Sequence, residues 1–369
     1  MIKVFEIITS VNVGGAENVV FNLVENCSLL YPDAFEFTIL ELHSSPSFYS
    51  KRKKVELRSK GIKVITLGGS KKRESLLLAP VRLFAYLKKE RPAIIHSHTD
   101  LPDFVLSIVL RFLKLKNSKI VRTIHNTDLW SAYPAVGKFV ESAFHDDDVI
   151  GVSKAAIHAY DKARNTYKLP VSTRTSVIYN GCPVPKPLTH HFTLDKGKYN
   201  IAFCGRFFYQ KGVDILVKVL GQLDIKLKDN LAFHFIGDGP DKNLIEKLAE
   251  ENDNVFLYAP VSNLSGKIYG FDYLIMPSRF EGFPLISLES SLSKVPVIAS
   301  RAPGLDETLP ADWPLFFNLE HPEEIDRIFE NIVNSFYTAK DLRNVSFDFA
   351  VKKFSLEEMS SHYSKIYTS

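Results

Sequence analysis

Four short segments hold the residues best suited to chemistry. The first, Glu281-Gly-Phe-Pro-Leu-Ile-Ser-Leu-Glu289, carries two carboxylates eight residues apart. Eight residues are about two helical turns, so on one continuous helix both acids would share a face toward a polyol. Gly282 and Pro284 read as the turn into that helix. Pro284 at the first helical position removes no hydrogen bond, and the free amides at such a start suit phosphate or sugar oxygens. Taken alone, the two acids read equally as surface charge. The second segment, Cys204-Gly-Arg-Phe-Phe-Tyr-Gln-Lys-Gly-Val-Asp214, places Arg206 and Lys211 on a loop between a strand and a helix. Two cations there suit a diphosphate, whose charge grows as a bond to it breaks; either alone reads as solvated charge. The third, Ile236-Gly-Asp-Gly-Pro240, ends a strand, and Gly237 and Gly239 around Asp238 permit a tight turn. The fourth, Gly14-Gly15-Ala16-Glu17, follows the first strand and opens a helix, where a backbone stripped of side chains lets a phosphate approach. An ordinary turn is the alternative in both glycine segments.

The Gly14–Glu17 segment lacks the GxGxxG spacing of dinucleotide-binding folds, and no acidic residue clearly ends a second strand, which disfavours a nicotinamide enzyme. His96, His98 and His125 lie at the ends of two expected strands. His96 and His98 share a face at period 2, but no acidic or cysteine ligand stands near them in sequence, so a metal site is not expected. In Thr123-Ile-His125-Asn126 the imidazole is placed to donate to a sugar hydroxyl or a phosphate, with a structural polar histidine as the alternative. The three cysteines, Cys27, Cys182 and Cys204, are scattered and read as buried free thiols.

Parallel α/β units must position these loops. Candidate strands are 2–9, 35–42, 63–67, 93–98, 119–124, 148–152 and 176–179, then 200–204, 231–236, 255–258, 273–276, 297–299 and 314–317. Segments between them, such as 16–30 and 213–223, show helical spacing. A chain of 369 residues exceeds one ordinary core. The proline-rich stretch after Gly181 divides the series, giving an N-terminal domain over 1–182, a linker over 183–197 and a C-terminal domain over 198–352. In doubly wound sheets ligands bind at the carboxyl ends of the strands, where strand order reverses. The charge is uneven: residues 1–181 sum to +9 and the remainder to −5, within a total of +4. Residues 75–91 form a basic amphipathic helix with Leu76, Leu77, Val81, Phe84 and Leu87 beside Arg82, Lys88, Lys89 and Arg91, preceded by Lys71, Lys72 and Arg73. Such a helix suits an anionic membrane surface, or equally a core face with a solvated basic side. Aromatic residues do not interleave with the basic ones, so nucleic acid is not an expected partner. No signal peptide or membrane-spanning run is visible, which points to a cytoplasmic protein peripheral to the inner face of a membrane.

The ordered set of segments resembles the family 4 retaining glycosyltransferases of GT-B fold. Its further marks are His96-Ser-His98, Val152-Ser153-Lys154, Tyr179-Asn180-Gly181, Gln210-Lys211-Gly212 and Pro277-Ser278. The resemblance covers nearly the whole chain. It implies two Rossmann-like domains facing across a deep cleft, with a last helix (353–369) returning to the first domain. By resemblance, Arg206 and Lys211 bind the donor diphosphate, with Gly237 and Asp238 lining the same site. Glu281, Gly282 and the run Phe283, Pro284 and Leu285 hold the transferred sugar and phosphate. Glu289 binds the nucleotide ribose, Gly15 approaches the diphosphate, and His125 contacts the sugar and assists transfer. No bound metal is implied. The chain departs from the family in Glu289-Ser-Ser-Leu-Ser and in the loop Ala302-Pro303-Gly304-Leu305, which bears on the donor sugar. No double-displacement nucleophile stands out, although Asp100 and Asp128 stay open. The expected reaction is same-face transfer of a hexose-type sugar from a UDP- or GDP-sugar to a lipid-linked glycan in bacterial surface polysaccharide assembly. A nucleotide-sugar epimerase or hydrolase, and a non-catalytic carbohydrate-binding scaffold, are the rival readings.

Overall fold

Each apolar run read from the sequence forms a strand in the computed structural model, and every ladder between described strands is parallel. The structure describes residues 1–145, 147–189, 192–335 and 339–369, without the side chains of Lys72, Arg73, Ala339 and Lys340. His190 and His191 of the expected linker lie outside them.

Met1–Gly181 and Leu356–Ser369 form one unit, and Cys182–Ser355 the other. The first begins with β1 (Ile2–Ile8), α1 (Gly15–Leu30), β2 (Phe35–Glu41), α2 (Phe48–Ser59), β3 (Lys63–Thr66) and α3 (Lys72–Glu90). It continues with β4 (Ile94–His98), α4 (Asp100–Leu110), β5 (Lys119–Ile124), α5 (Pro134–Glu141), β6 (Asp148–Gly151), α6 (Lys154–Thr166) and β7 (Thr175–Val177). The second begins with β8 (Tyr199–Arg206), α7 (Val213–Gly221), α8 (Ile225–Asn230), β9 (Leu231–Asp238), α9 (Lys242–Glu251) and β10 (Val255–Tyr258). It ends with β11 (Tyr273–Met276), α10 (Leu285–Leu292), β12 (Val297–Ser300), β13 (Phe316–Phe317), α11 (Glu323–Val333) and α12 (Ala339–Lys353). The last helix, α13 (Leu356–Thr368), belongs to the first unit.

The first sheet runs β3-β2-β1-β4-β5-β6-β7 and the second β10-β9-β8-β11-β12-β13. Strand order reverses between β1 and β4 in one and between β8 and β11 in the other, so each sheet has one topological switch point. Helices cover both faces of such sheets, which explains the unbroken apolar runs. In β9 the first seven residues are buried. One strand breaks this rule: β4, Ile-Ile-His-Ser-His, is wholly buried yet holds two histidines.

Local signals set the helix ends. Ser153 accepts a hydrogen bond from the Ala156 amide at 3.0 Å and caps α6, which gives the Val152–Lys154 segment a structural role. The tail helix α13 packs against α1. Asn26 donates to the Leu356 carbonyl at 3.1 Å and to Ser360 Oγ at 2.8 Å, and Lys119 Nζ donates to the Ile366 carbonyl at 2.7 Å. The helix over 75–91 extends further, but its expected apolar face divides. Ala79, Leu83 and Leu87, four residues apart, turn into the core, while Leu77 and Val81 are 77% and 68% exposed.

Candidate functional site

In the second unit the loops after β8, β11 and β12 converge beside the switch point. The loop after β8 makes one tight turn, Tyr209–Lys211, and ends at Gly212, whose φ of 67° is left-handed. A side chain at Gly212 would strike the Pro277 carbonyl, so only glycine lets this loop lie against the one after β11. Two further contacts tie them: the Arg279 amide donates to the Gln210 carbonyl at 2.8 Å, and Gln210 Nε2 to the Phe280 carbonyl at 3.0 Å. Arg279 also binds Asp214 through both guanidinium nitrogens at 2.7 Å, a clamp whose planar geometry suits arginine alone. The sequence reading missed Arg279 and Asp214, whose signal was only their membership of the same two segments.

Within this frame Lys211 Nζ lies 2.6 Å from Glu281 Oε1. Ser278 Oγ donates to the same oxygen at 2.7 Å, and the Glu281 amide donates to the Pro303 carbonyl at 3.0 Å. Gly304, at φ 80°, packs on the carbonyls of Glu281 and Gly282, where any side chain would collide. That close approach accounts for the retained glycine of Ala302–Leu305. Glu281 is therefore buried and oriented from three loops.

The expectation that Glu281 and Glu289 share a helical face fails. Helix α10 begins only at Leu285, after an extended Pro284 (φ −74°, ψ 117°), because the loop bends to bring Glu281 to Lys211. Pro284 thus flanks the helix instead of opening it. No side chain caps α10, and Phe283 and Leu285 are buried on either side of Pro284. Glu289, half-buried one turn into α10, makes no side-chain hydrogen bond among the described residues. Burial pushes its carboxyl up to about 7, and it faces the thiols of Cys182 and Cys204, which burial and this acid together push up as well.

Arg206, the last residue of β8, is exposed and lies over the Phe208 ring at 5.1 Å. Gly237 and Asp238 are strand rather than turn: they pair with Gly205 and Arg206, and the chain bends at Gly239, whose amide donates to Asp238 Oδ1 at 2.9 Å. Strand pairing thus brings Arg206 and Asp238 side by side.

The first unit holds Gly15 and His125. Gly15 opens α1 and is exposed, with nothing near the position a side chain would take. Glu17 folds back beside Gly14, and burial raises its carboxyl against the opposing bond from its own amide. The loop before α1 is held by an acid that does end the second strand, contrary to the reading above. Buried Glu41 accepts from the Val11 amide at 3.0 Å and from Thr66 at 2.5 Å, and pairs with Lys54. Those contacts occupy it structurally.

The histidines form one buried chain with Glu6 of β1. Glu6 is the register partner of His96 across the switch point and supplies the acid the sequence did not reveal. His98 Nε2 lies 2.7 Å from Glu6 Oε2, and His98 Nδ1 lies 3.0 Å from His125 Nε2. His96 Nδ1 contacts the Tyr367 hydroxyl at 2.6 Å, and that hydroxyl donates to Glu6 Oε1 at 2.9 Å. Burial alone would raise Glu6, but His96 and His98 override it and hold the carboxyl well below its usual range. Glu6, His96 and His98 bring three ligand atoms within 4.8 Å of one another, enough to consider a metal. Each of the three residues is already hydrogen-bonded, His98 directly to Glu6.

Asp100 opens α4 and Asp128 lies exposed beyond β5. Beneath them Arg122 is buried among Asp103, Glu141 and Asp147, at 2.8, 2.8 and 3.3 Å.

Residues 13–184 match the family described as Glycosyltransferase Family 4, and residues 189–314 that described as Glycosyl transferases group 1. A 41.2 kDa uncharacterised protein in the cps region of Klebsiella pneumoniae is 27% identical over 96% of this chain and 97% of its own. The Escherichia coli O-antigen biosynthesis glycosyltransferase WclY is 26% identical over 74% of this chain and 78% of its own. Among solved structures, Anabaena HepE in complex with UDP-glucose superposes with a TM-score of 0.78 at 16% identity, covering both chains fully. At that identity the likeness concerns the fold.

Proposed function

Because the chain belongs to the glycosyltransferases of family 4 and group 1, which have the GT-B fold, we propose that it moves a hexose-type sugar from a UDP- or GDP-sugar to an acceptor hydroxyl with retention. The observation that carries this reading is the Lys211–Glu281 pair, held by three loops at the carboxyl ends of β8, β11 and β12. Lysine has three N–H donors, so one goes to Glu281 and two remain for phosphate oxygens. Arg206 adds an exposed second cation. Glu281 accepts from sugar hydroxyls. The uncapped start of α10 offers Leu285 and its neighbours to phosphate. Glu289 takes the ribose hydroxyls, and Gly237 and Asp238 line the approach.

In the step itself, the bond from the anomeric carbon to the diphosphate oxygen breaks. A bond from that carbon to the acceptor oxygen forms on the same face. The acceptor's proton passes to the leaving phosphate, so the enzyme's contribution is positioning and stabilisation of growing negative charge. In this reading Lys211 and Arg206 neutralise the leaving group and no resident metal is required. His125 contacts a sugar hydroxyl.

The relatives from O-antigen and cps contexts support a lipid-linked glycan as acceptor. Such an acceptor calls for a membrane surface. Leu77 and Val81 stand exposed on α3, with Lys88, Lys89 and Arg91 at its end. Apolar side chains beside cations suit an anionic interface. No helix among the described residues is long and apolar enough to cross a membrane.

Thermal stabilisation by a panel of UDP- and GDP-sugars identifies the donor, and the anomeric proton coupling of the product reads retention. Wild-type transfer rates in both Arg206→Ala and Glu281→Ala would overturn the site assignment. Fast donor turnover without acceptor would favour an epimerase or hydrolase.

A further inference from the structure

The buried chain Glu6–His98–His125 fixes where protons sit, and this decides what His125 offers a substrate. We infer that Glu6 and His98 are positioning residues that hold His125 as its Nε2–H tautomer, leaving Nδ1 as a hydrogen-bond acceptor for a hydroxyl of the substrate sugar.

An ionised Glu6 only accepts. Its Oε1 accepts from the Tyr367 hydroxyl at 2.9 Å, and its Oε2 from His98 Nε2 at 2.7 Å. His98 therefore carries its hydrogen on Nε2. A neutral imidazole has one N–H, so His98 Nδ1 is a bare lone pair. The 3.0 Å contact between that nitrogen and His125 Nε2 then needs a hydrogen, and His125 must supply it. With Nε2 protonated, His125 Nδ1 is bare in turn. Nδ1 makes no hydrogen bond among the described residues, and the ring is half-buried at the end of β5.

Both rings are neutral near pH 7. Burial, with His96 beside it, pushes His98 down to about 4 despite the opposing pull of Glu6. Burial, then His98 and His96, holds His125 well below its ordinary value. Such a weak base keeps no proton taken from a sugar, so Nδ1 acts as an acceptor rather than a general base. This reverses the donor role expected from the sequence. An acceptor at this point orients a hydroxyl through its hydrogen, leaving that oxygen's lone pairs free. The identity of the hydroxyl rests on the glycosyl-transfer reading; the tautomer does not.

The test uses the full chain with 15N-labelled histidine. At pH 7, imidazole correlations should show His125, assigned by its loss in His125→Asn, protonated at Nε2 and bare at Nδ1. Glu6→Gln is the decisive variant. With its carbonyl oxygen accepting from the Tyr367 hydroxyl as Glu6 Oε1 does, its amide nitrogen faces His98 Nε2 and donates to it, driving the His98 hydrogen to Nδ1 and the His125 hydrogen to Nδ1 in turn. The His125 signals should exchange. Donor turnover should fall roughly 10-fold in kcat, the scale of one orienting hydrogen bond reversed in direction, with stabilisation by nucleotide alone unchanged. Glu6→Asp keeps a carboxylate and should restore the wild-type pattern and most of the rate. A wild-type His125 protonated at Nδ1 overturns the tautomer assignment, even if Glu6→Gln does not fold. Exchanged signals with an unchanged kcat overturn its role. Absence of nucleotide-sugar turnover in the wild type would instead remove the glycosyl-transfer reading, with the tautomer still decided by the spectrum.

Discussion

Glu281 and Glu289 look alike in sequence, yet the fold gives them opposite surroundings. Glu281 is engaged by Lys211 and Ser278, whereas Glu289 has no side-chain hydrogen bond among the described residues and burial raises its carboxyl to about 7. Removing the engaged pair should affect the chemical step. Glu281→Gln and Lys211→Ala are each expected to lower kcat roughly 10²- to 10³-fold, as for other groups that meet developing charge; steady-state transfer assays check this. The raised acid predicts a pH effect. Ribose hydroxyls bind the carboxylate form, so nucleotide binding should tighten as pH rises through about 7 and release protons below it. Calorimetry in buffers of different ionisation enthalpy measures that release, and Glu289→Gln should abolish it. Stability moves the other way. Glu289 has a folded value above its ordinary 4.5, so its contribution is full below pH 4.5 and is lost as pH rises through about 7. Glu289→Gln should therefore raise the Tm of the unliganded protein at pH 8 relative to wild type, while weakening nucleotide binding.

Strands β4 and β5 carry polar residues into a sheet interior, where an unpartnered group costs about 1–3 kcal/mol. His96, His98, Thr123 and Arg122 are matched from other elements: by Glu6 from β1, by Tyr367 and Tyr363 from α13, and by the carboxylates around Arg122 from α4, α5 and the edge of β6. These contacts explain why the last helix must return to the first unit. Arg122→Met leaves the buried Asp103 and Asp147 without their cation and Glu141 with Arg164 alone, and a loss of about 3–5 kcal/mol is expected. Denaturant unfolding measures it, and a loss below 1 kcal/mol would show that the acids find other partners. The same variant should leave the second unit's donor site intact, because the network lies wholly within the first.

At the scale of the molecule, the +9 of residues 1–181 against the −5 of the remainder places the cations in the unit that presents α3. Replacing Leu77 and Val81 together by serine should reduce co-sedimentation with anionic vesicles roughly tenfold, given the apolar area removed. Activity on a water-soluble acceptor should be unchanged. Full recovery of the wild type in the supernatant, with or without such vesicles, would refute the membrane role.

The sequence by itself determined the elements and the loops that carry the site. Apolar runs, helical spacing and glycines at strand ends are local signals, and all thirteen expected strands appear among the described residues. Gly212 and Gly304 were legible as punctuation, though not as the points where backbones touch. Only the tertiary structure decided which side chains meet. Lys211 and Glu281 are 70 residues apart, Glu6 and His98 are 92 apart, and Tyr367 reaches Glu6 across 361. Such pairs follow from strand order and from the return of α13, and periodicity does not encode either. A histidine two residues from another histidine reads the same whether it faces water, a metal or a carboxylate. Placing β1 beside β4 supplied the carboxylate and with it the direction of every hydrogen bond out to His125.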